Sequence, residues 1–443
     1  MQRLITATSV ALLAFASAAH AFDKPPFPRL GGFKISGPQA YEDPAYQEQL
    51  AKLDIVVLNN FPGWEAAHHT TLKKVVDEIK ARNPKELVFM YANMNEAVKD
   101  NPGVWKELST KLTTEKWWLY PAADAGSPVT STWAPVFGIT NYTMGARANS
   151  SGQRYLDWYP TWSAKTFLMD SPNIDGILTD NFFWKPRVSG DWNRDGKIDA
   201  SDSEIAQKLH REGMAKYVQV WRKVLPGKYQ LGNSDWGNPK AVAPEYDQLL
   251  NGAVLERAIG DSWSPEGLSI TGAKNANGSW KFMMEHYWRL MQGTAEPKLV
   301  IFQQWGKTSD YQAFRYGLTS CLMDDGYYDF AVDKYTAVPW FDEYDAKLGQ
   351  AISPPPRAAW KNGVWRRDFE NGIALVNPRG NGAQTVDLGG QFKRLSGKQD
   401  SAVNNGTMSD KVTLKDRDGI ILMRDKPIKR PMAPKIMTTS SAP

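Results

Sequence analysis

The chain has one cysteine, Cys321, and five histidines in 443 residues. A single thiol excludes a disulfide framework and any thiolate metal cluster, and its apolar neighbours predict a buried, inert side chain. Of the histidines, His68, His69, His210 and His286 lie beyond the N-terminal leader, and none has the spacing of a zinc motif. No Gly-x-Ser-x-Gly elbow, phosphate-binding glycine loop or dinucleotide fingerprint occurs. Charge of one sign is also missing where it would matter. The formal charge is +5, but Arg3 supplies one positive charge and Lys426, Lys429, Arg430 and Lys435 four. Residues 22–425 are therefore neutral and hold no electrostatic attraction for nucleic acid. Beyond the leader no apolar run reaches the ~18 residues of a membrane span. Chemistry must rest on carboxylates, amides and aromatic rings.

Residues 1–21 carry Arg3, an apolar run from Leu4 to Ala19 and Ala19-His20-Ala21, the pattern of a secretory signal peptide with its small-residue cleavage site. Export to a secreted or periplasmic location is the expectation, with a mature start near Phe22. A 42% hydrophobic, 12% aromatic chain of this length can fill one large core and a small one. Short apolar runs alternate with helical patterns. Strands are predicted at Leu30–Ile35, Asp54–Asn60, Glu86–Asn93, Asp175–Asn181, Tyr229–Asn233, Gly252–Glu256, Lys298–Trp305 and Gly326–Phe330. Helices are predicted over 65–82, 152–170, 202–225, 279–293 and 309–324. Eight strands with intervening helices predict an α/β fold, a (β/α)8 TIM barrel over residues 22–352, with the long irregular stretch 96–150 walling a cleft. After Ser353-Pro354-Pro355-Pro356, short strand-like runs over 357–425 predict a small antiparallel β domain. Residues 426–443, rich in Pro, Ser, Thr and Lys, read as a disordered tail.

Asp180 closes the fourth predicted strand and Glu256 the sixth. In a barrel both face the C-terminal mouth, the geometry in which paired carboxylates flank a glycosidic bond. Asn181, Asn233 and Gln304 at strand ends can bond sugar hydroxyls, and Trp184, Trp236, Trp263 and Trp305, among eighteen tryptophans, can stack on sugar rings. Tyr91 joins them at the third strand end.

Directly after the Asp180 strand, Asp191, Asn193, Asp195, Lys197, Asp199 and Asp202 occupy positions one, three, five, seven, nine and twelve of a 12-residue calcium loop, with Gly196 at six. Hard oxygens at alternate positions can wrap Ca2+, with Lys197 contributing its carbonyl. Asp202 at the last position resembles dockerin-type loops. The ion is expected to be structural, pinning the segment that carries Trp184 and Lys185. Ser201 and Glu204 form a capping-box pattern for the helix that follows.

Asp175-Gly176-Ile177-Leu178-Thr179-Asp180-Asn181 resembles the strand-four signature of a group of barrel-type glycoside hydrolases that includes hypothetical glycosyl-hydrolase family 15 and, more distantly, endo-α-1,4-galactosaminidase-like enzymes. Gly252–Glu256 resembles their strand-six acid, and Arg367–Pro378 with Arg417–Leu422 is similar to the C-terminal β domain such proteins often carry. The resemblance implies Asp180 as nucleophile or base, Glu256 as general acid, retention of configuration and a polysaccharide or oligosaccharide substrate, without naming the sugar. A monomer is expected. A non-catalytic carbohydrate-binding protein of an exopolysaccharide or envelope system, and a structural partner in exopolysaccharide assembly, are the competing classes. The first predicts sugar binding that survives loss of either acid; the second predicts a large exposed apolar patch.

Overall fold

A computed structural model describes residues 23–35, 41–60, 70–100, 105–122, 126–233, 235–332 and 335–428; the predicted signal peptide, His68, His69 and residues 429–443 of the predicted tail lie outside them. Eight strands, β1 (Gly31–Lys34), β2 (Ile55–Leu58), β3 (Leu87–Ala92), β4 (Gly176–Thr179), β5 (Tyr229–Asn233), β6 (Gly252–Ile259), β7 (Ile301–Trp305) and β8 (Tyr327–Ala331), pair in parallel and in sequence order. The seam between β1 and β8 is closed by one parallel bridge, Leu30 with Tyr328. Toward the mouth a side chain takes over: the Asp329 carboxylate accepts from Phe33 N–H at 3.0 Å and from Lys34 Nζ at 2.8 Å. The result is the expected TIM barrel.

Helices α1 (Pro44–Leu50), α2 (Leu72–Arg82), α3 (Trp105–Thr114), α4 (Tyr155–Phe167), α5 (Glu204–Val224), α6 (Trp280–Gly293) and α7 (Tyr311–Cys321) accompany the strands. The hydroxyl of Thr71 caps Lys74 N–H and starts α2 at Leu72; residues 65–69 of the predicted helix lie outside the described residues. Ser203, not Ser201, caps α5. In α2, Leu72, Val75, Val76 and Ile79 are buried at the predicted helical spacing.

Strand alternation sorts the side chains into two layers. Phe33, Ile55, Val57, Phe89, Leu178, Leu231, Val254, Ile301 and Tyr327 fill the barrel interior, while Val56, Leu58, Val88, Met90, Ile177, Ala253, Leu255, Val300 and Phe302 face the helices. Two residues further along each inward register stand Tyr91, Asp180, Asn233 and Glu256. The same alternation that builds the core delivers these four to the C-terminal mouth.

The second sheet is antiparallel. Strands β9 (Trp365–Phe369), β10 (Gly372–Asn377), β11 (Gln384–Arg394), β12 (Met408–Leu414) and β13 (Asp418–Met423) run in the spatial order β9-β10-β13-β11-β12. It packs on α7 so closely that a Cβ at Gly419 would lie 2.0 Å from the Thr319 hydroxyl, which fixes glycine there. Charge locks the contact: Arg315 Nη2 lies 3.2 Å from Asp418, and fully buried Glu266 lies 3.0 Å from Arg379 Nε and 3.2 Å from Arg417 Nε. Cys321 is buried beneath this interface, and burial pushes its thiol up to about 12, as its apolar neighbours predicted.

Candidate active site

The barrel mouth opens into a cleft of about 1110 Å³. At its centre one amide joins two acids. Asn233 Nδ2 donates to Asp180 Oδ1 at 2.8 Å and to Glu256 Oε2 at 2.7 Å. Two oxygens sharing one nitrogen can lie no farther apart than the sum of those lengths, ~5.5 Å. Tyr91 Oη–H donates to Asp180 Oδ2, Asn181 N–H donates to Asp180 Oδ1 at 2.8 Å, and Tyr335 Oη–H donates to Glu256 Oε1.

The backbone uses the same device at both acids. The following residue, Asn181 at φ 52° and Arg257 at φ 46°, lies in the left-handed region, a conformation that costs about 1–3 kcal/mol for a non-glycine residue and clusters at functional sites. At Arg257 the turn coincides with a register shift between β6 and β7, and Gln303 Oε1 accepts the displaced Arg257 N–H at 3.2 Å. At Asp180 the bend follows the end of β4 at Thr179, and at Glu256 it interrupts the pairing of β6 with β7, which resumes at Ile259.

The two carboxyls have different surroundings. Burial, then the neighbouring Asp180 charge, raise the Glu256 carboxyl above the usual glutamate range, against the opposing bonds from Tyr335 and Asn233. Asp180 receives three donors, one phenolic and two amide.

Of the other predicted contacts, Tyr91, Asn181 and Asn233 line the cleft. Asn181 is held, its Oδ1 accepting from Arg187 at 3.0 Å. Gln304 does not reach the cleft: its even register points outward, where its Nε2 donates to Ala313 O at 2.9 Å and its Oε1 accepts from Tyr328 Oη at 2.6 Å. The inward neighbour is Gln303, which bonds Asp329 at 2.8 Å. Trp236 is buried edge-on against Tyr246 and Trp184 packs on the core; neither lines the cleft. Trp305 is covered by the Arg257 guanidinium, 3.5 Å above its ring. Trp263 does line it. The sequence reading missed Tyr335, Arg187, Arg257 and Asp235, a cleft carboxyl that burial pushes up to about 6.

The irregular stretch 96–150 walls one side, as expected. Its ribbon pairs Glu96–Val98 with Phe137–Ile139, and Glu96, Val98, Trp133 and Phe137 line the cleft. The acidic loop is fastened to this wall. Asp191 N–H donates to Tyr120 O at 2.9 Å, and Trp192, 1% exposed, accepts at its carbonyl from Asn141 at 3.3 Å. Within the loop Gly196 turns at φ 90°. Asp191 Oδ2 accepts from Gly196 N–H at 3.0 Å, Asn193 Oδ1 from Asp195 N–H at 3.0 Å, Asp195 Oδ1 from Lys197 N–H at 2.9 Å and Asp199 Oδ2 from Trp192 N–H at 3.0 Å. The carbonyl of Asp202 accepts from Gln207. Among the described residues no three His, Cys, Asp or Glu side chains stand as a metal-holding group. The Oδ1 of Asp191 is buried without a partner. His210 is a packed histidine, its ring nitrogens bonded at 2.8 Å to Tyr142 Oη and to Phe183 O.

A parallel eight-stranded barrel with a carboxyl pair across its C-terminal mouth is the arrangement of a barrel-type glycoside hydrolase. The chain belongs to hypothetical glycosyl hydrolase family 15, whose sequence profile matches residues 80–373. No curated protein matches. Among solved structures, the chain is similar to the glycoside hydrolase domain of PelA from Pseudomonas aeruginosa, at 16% identity and TM-score 0.42 over 71% of this chain and 97% of that one. It is also similar to the α-amylase of Geobacillus thermoleovorans complexed with acarbose, at 11% identity and TM-score 0.46 over 90% and 98%. An Anoxybacillus α-amylase gives 11% identity and TM-score 0.49 over the same shares. Likeness at this level bears on no substrate. No helix among the described residues is long and apolar enough to cross a membrane.

Proposed function

We propose that the protein is an exported, monomeric hydrolase of polysaccharide glycosidic bonds that works with retention, using Asp180 as nucleophile and Glu256 as general acid and base. The observation that carries this reading is the single Asn233 amide bonded to both carboxyls. An Asp180 oxygen attacks the anomeric carbon as Glu256 delivers its proton to the departing glycosidic oxygen. Glu256, now ionised, takes a proton from water, whose oxygen displaces Asp180 from the sugar. Tyr91 and Tyr335 orient the two carboxyls, and the Asn233 N–H groups hold them at one spacing. The reading is tested by reducing-end release from purified bacterial polysaccharides, including galactosaminoglycans, by wild type, Asp180→Asn and Glu256→Gln. Cleavage by wild type that both variants lose is expected; cleavage by either variant at the wild-type rate overturns the assignment.

In the same reading a calcium ion is held by Asp191, Asn193, Asp195, Asp199, Asp202 and the Lys197 carbonyl, in a structural role, pinning the segment between Asp180 and α5 to the cleft wall. Its support is the 12-residue spacing and the unpartnered buried Asp191 Oδ1. Calorimetric titration of metal-free protein is expected to show one site whose filling raises the melting temperature; no heat of binding would dismiss the ion.

A further inference from the structure

Two large aromatic rings stand exposed at the rim of the cleft. Trp133 is 75% exposed and Trp263 53%, and both line it, whereas exposed Met169, Ile198 and Val242 do not. Both rings stand on hydrogen-bonded turns. Trp133 N–H donates to Ser131 Oγ at 3.0 Å beside the Thr130–Gly138 bridge. Trp263 sits in a turn where Asp261 N–H donates to Ser264 Oγ at 2.7 Å and that hydroxyl donates to Arg257 O at 2.6 Å. Each turn holds its ring out of the core and at the cleft.

The rings lie at the two ends of one line of contacts. Thr132, next to Trp133, accepts from Arg187 at 3.4 Å, Arg187 bonds Asn181, and Asn181 N–H bonds Asp180. Asn233 then bridges to Glu256, and the following Arg257 holds its guanidinium 5.9 Å from the Trp263 ring. Trp133 is thus linked to the Asp180 side of the pair and Trp263 to the Glu256 side. The whole cleft holds about 1110 Å³, above the about 300–1,000 Å³ of a pocket for one small ligand.

Resting on the hydrolase reading, we infer that Trp133 and Trp263 are sugar-stacking subsites on either side of the acid pair, so that the substrate is a chain of several pyranose rings cut internally. Flat apolar sugar faces stack on such rings while the amides between them meet the hydroxyls. A single-ring or end-trimming site needs neither platform.

The test measures retardation of wild type, Trp133→Ala, Trp263→Ala, the double variant and Trp360→Ala in native gels containing pullulan, arabinogalactan, alginate or a galactosaminan, with viscosity and reducing ends followed on the same polymers. Trp360, 36% exposed on the β domain and outside the cleft, is the control. Each cleft variant is expected to need about tenfold more polymer for half retardation and the double about a hundredfold, with Trp360→Ala like wild type. Phe at either position is expected to restore most of the binding, and viscosity to fall before reducing ends accumulate. Cleft variants retarded like wild type, or sugars released from chain ends at constant viscosity, overturn the inference and leave the hydrolase reading standing. Retardation lost in the variants without reducing ends from wild type keeps the subsites and removes hydrolysis. No retardation by any of the polymers overturns the inference outright.

Discussion

Asn233→Ala removes a side chain that touches both acids. With Asp180 as the nucleophile, its bond from Asn233 is of the charge-assisted kind, about 1.5–3 kcal/mol, and the bond to Glu256 of the ordinary kind, about 0.5–1.5 kcal/mol. Both serve the reacting geometry, so kcat/KM is expected to fall by ~2–4 kcal/mol in activation free energy, ~30- to 1,000-fold. The pH profile supplies an independent sign. Asn233 is one of the groups that hold the Glu256 carboxyl down against burial and the Asp180 charge. Removing it raises Glu256 further, so the alkaline limb of kcat/KM, which reports loss of the acid's proton, moves to higher pH. The assay is the full pH profile of both proteins on the polymer wild type cleaves. A fall of less than threefold with an unmoved alkaline limb would refute the reasoning.

Two further predictions concern the scaffold. Burial raises Asp54 to about 6, while the unfolded chain holds that proton only to ~4. The resulting stabilisation is full below pH ~4 and is lost as pH rises through 6, about 3 kcal/mol in all. Asp54→Asn, which keeps an oxygen for the Leu30 N–H at 2.7 Å, is expected to gain that much on wild type between pH 4 and 7 in urea unfolding; a constant difference would contradict it. Replacing Arg379 and Arg417 together by Met leaves Glu266 buried beside Tyr316 Oη at 3.3 Å without a cation. A loss of ~3–5 kcal/mol is expected in chemical denaturation, partly recovered by adding Glu266→Gln, and an unchanged midpoint would show the charge lock to be idle.

The barrel was legible because its strands are short apolar runs with polar ends, and their period of two carries inward residues to the mouth. Asp180, Asn233, Glu256 and Tyr91 share one inward register with the core residues beneath them. Gln304 misses the cleft by one residue of that alternation, because a strand buried on both faces does not announce which face is inside. Trp236 and Trp184 fail differently: a tryptophan after a strand is as well suited to the helix layer as to the cleft, and only tertiary packing decides. Tyr335, Arg187 and Trp133 reach the cleft from loops, where no periodicity marks direction. The buried charge lock at Glu266 joins residues more than a hundred positions apart, beyond any local pattern.

The division of labour between the two acids is tested most directly by azide rescue of Asp180→Gly and Glu256→Gly on an activated aryl glycoside of the sugar released by wild type. Azide is expected to restore turnover in both. The glycosyl azide from Asp180→Gly should have inverted configuration, because azide then occupies the place of the nucleophile; that from Glu256→Gly should have retained configuration, because azide replaces water on the sugar bound to Asp180. Exchanged configurations would contradict the roles given to the pair, and no rescue of either variant would contradict the mechanism.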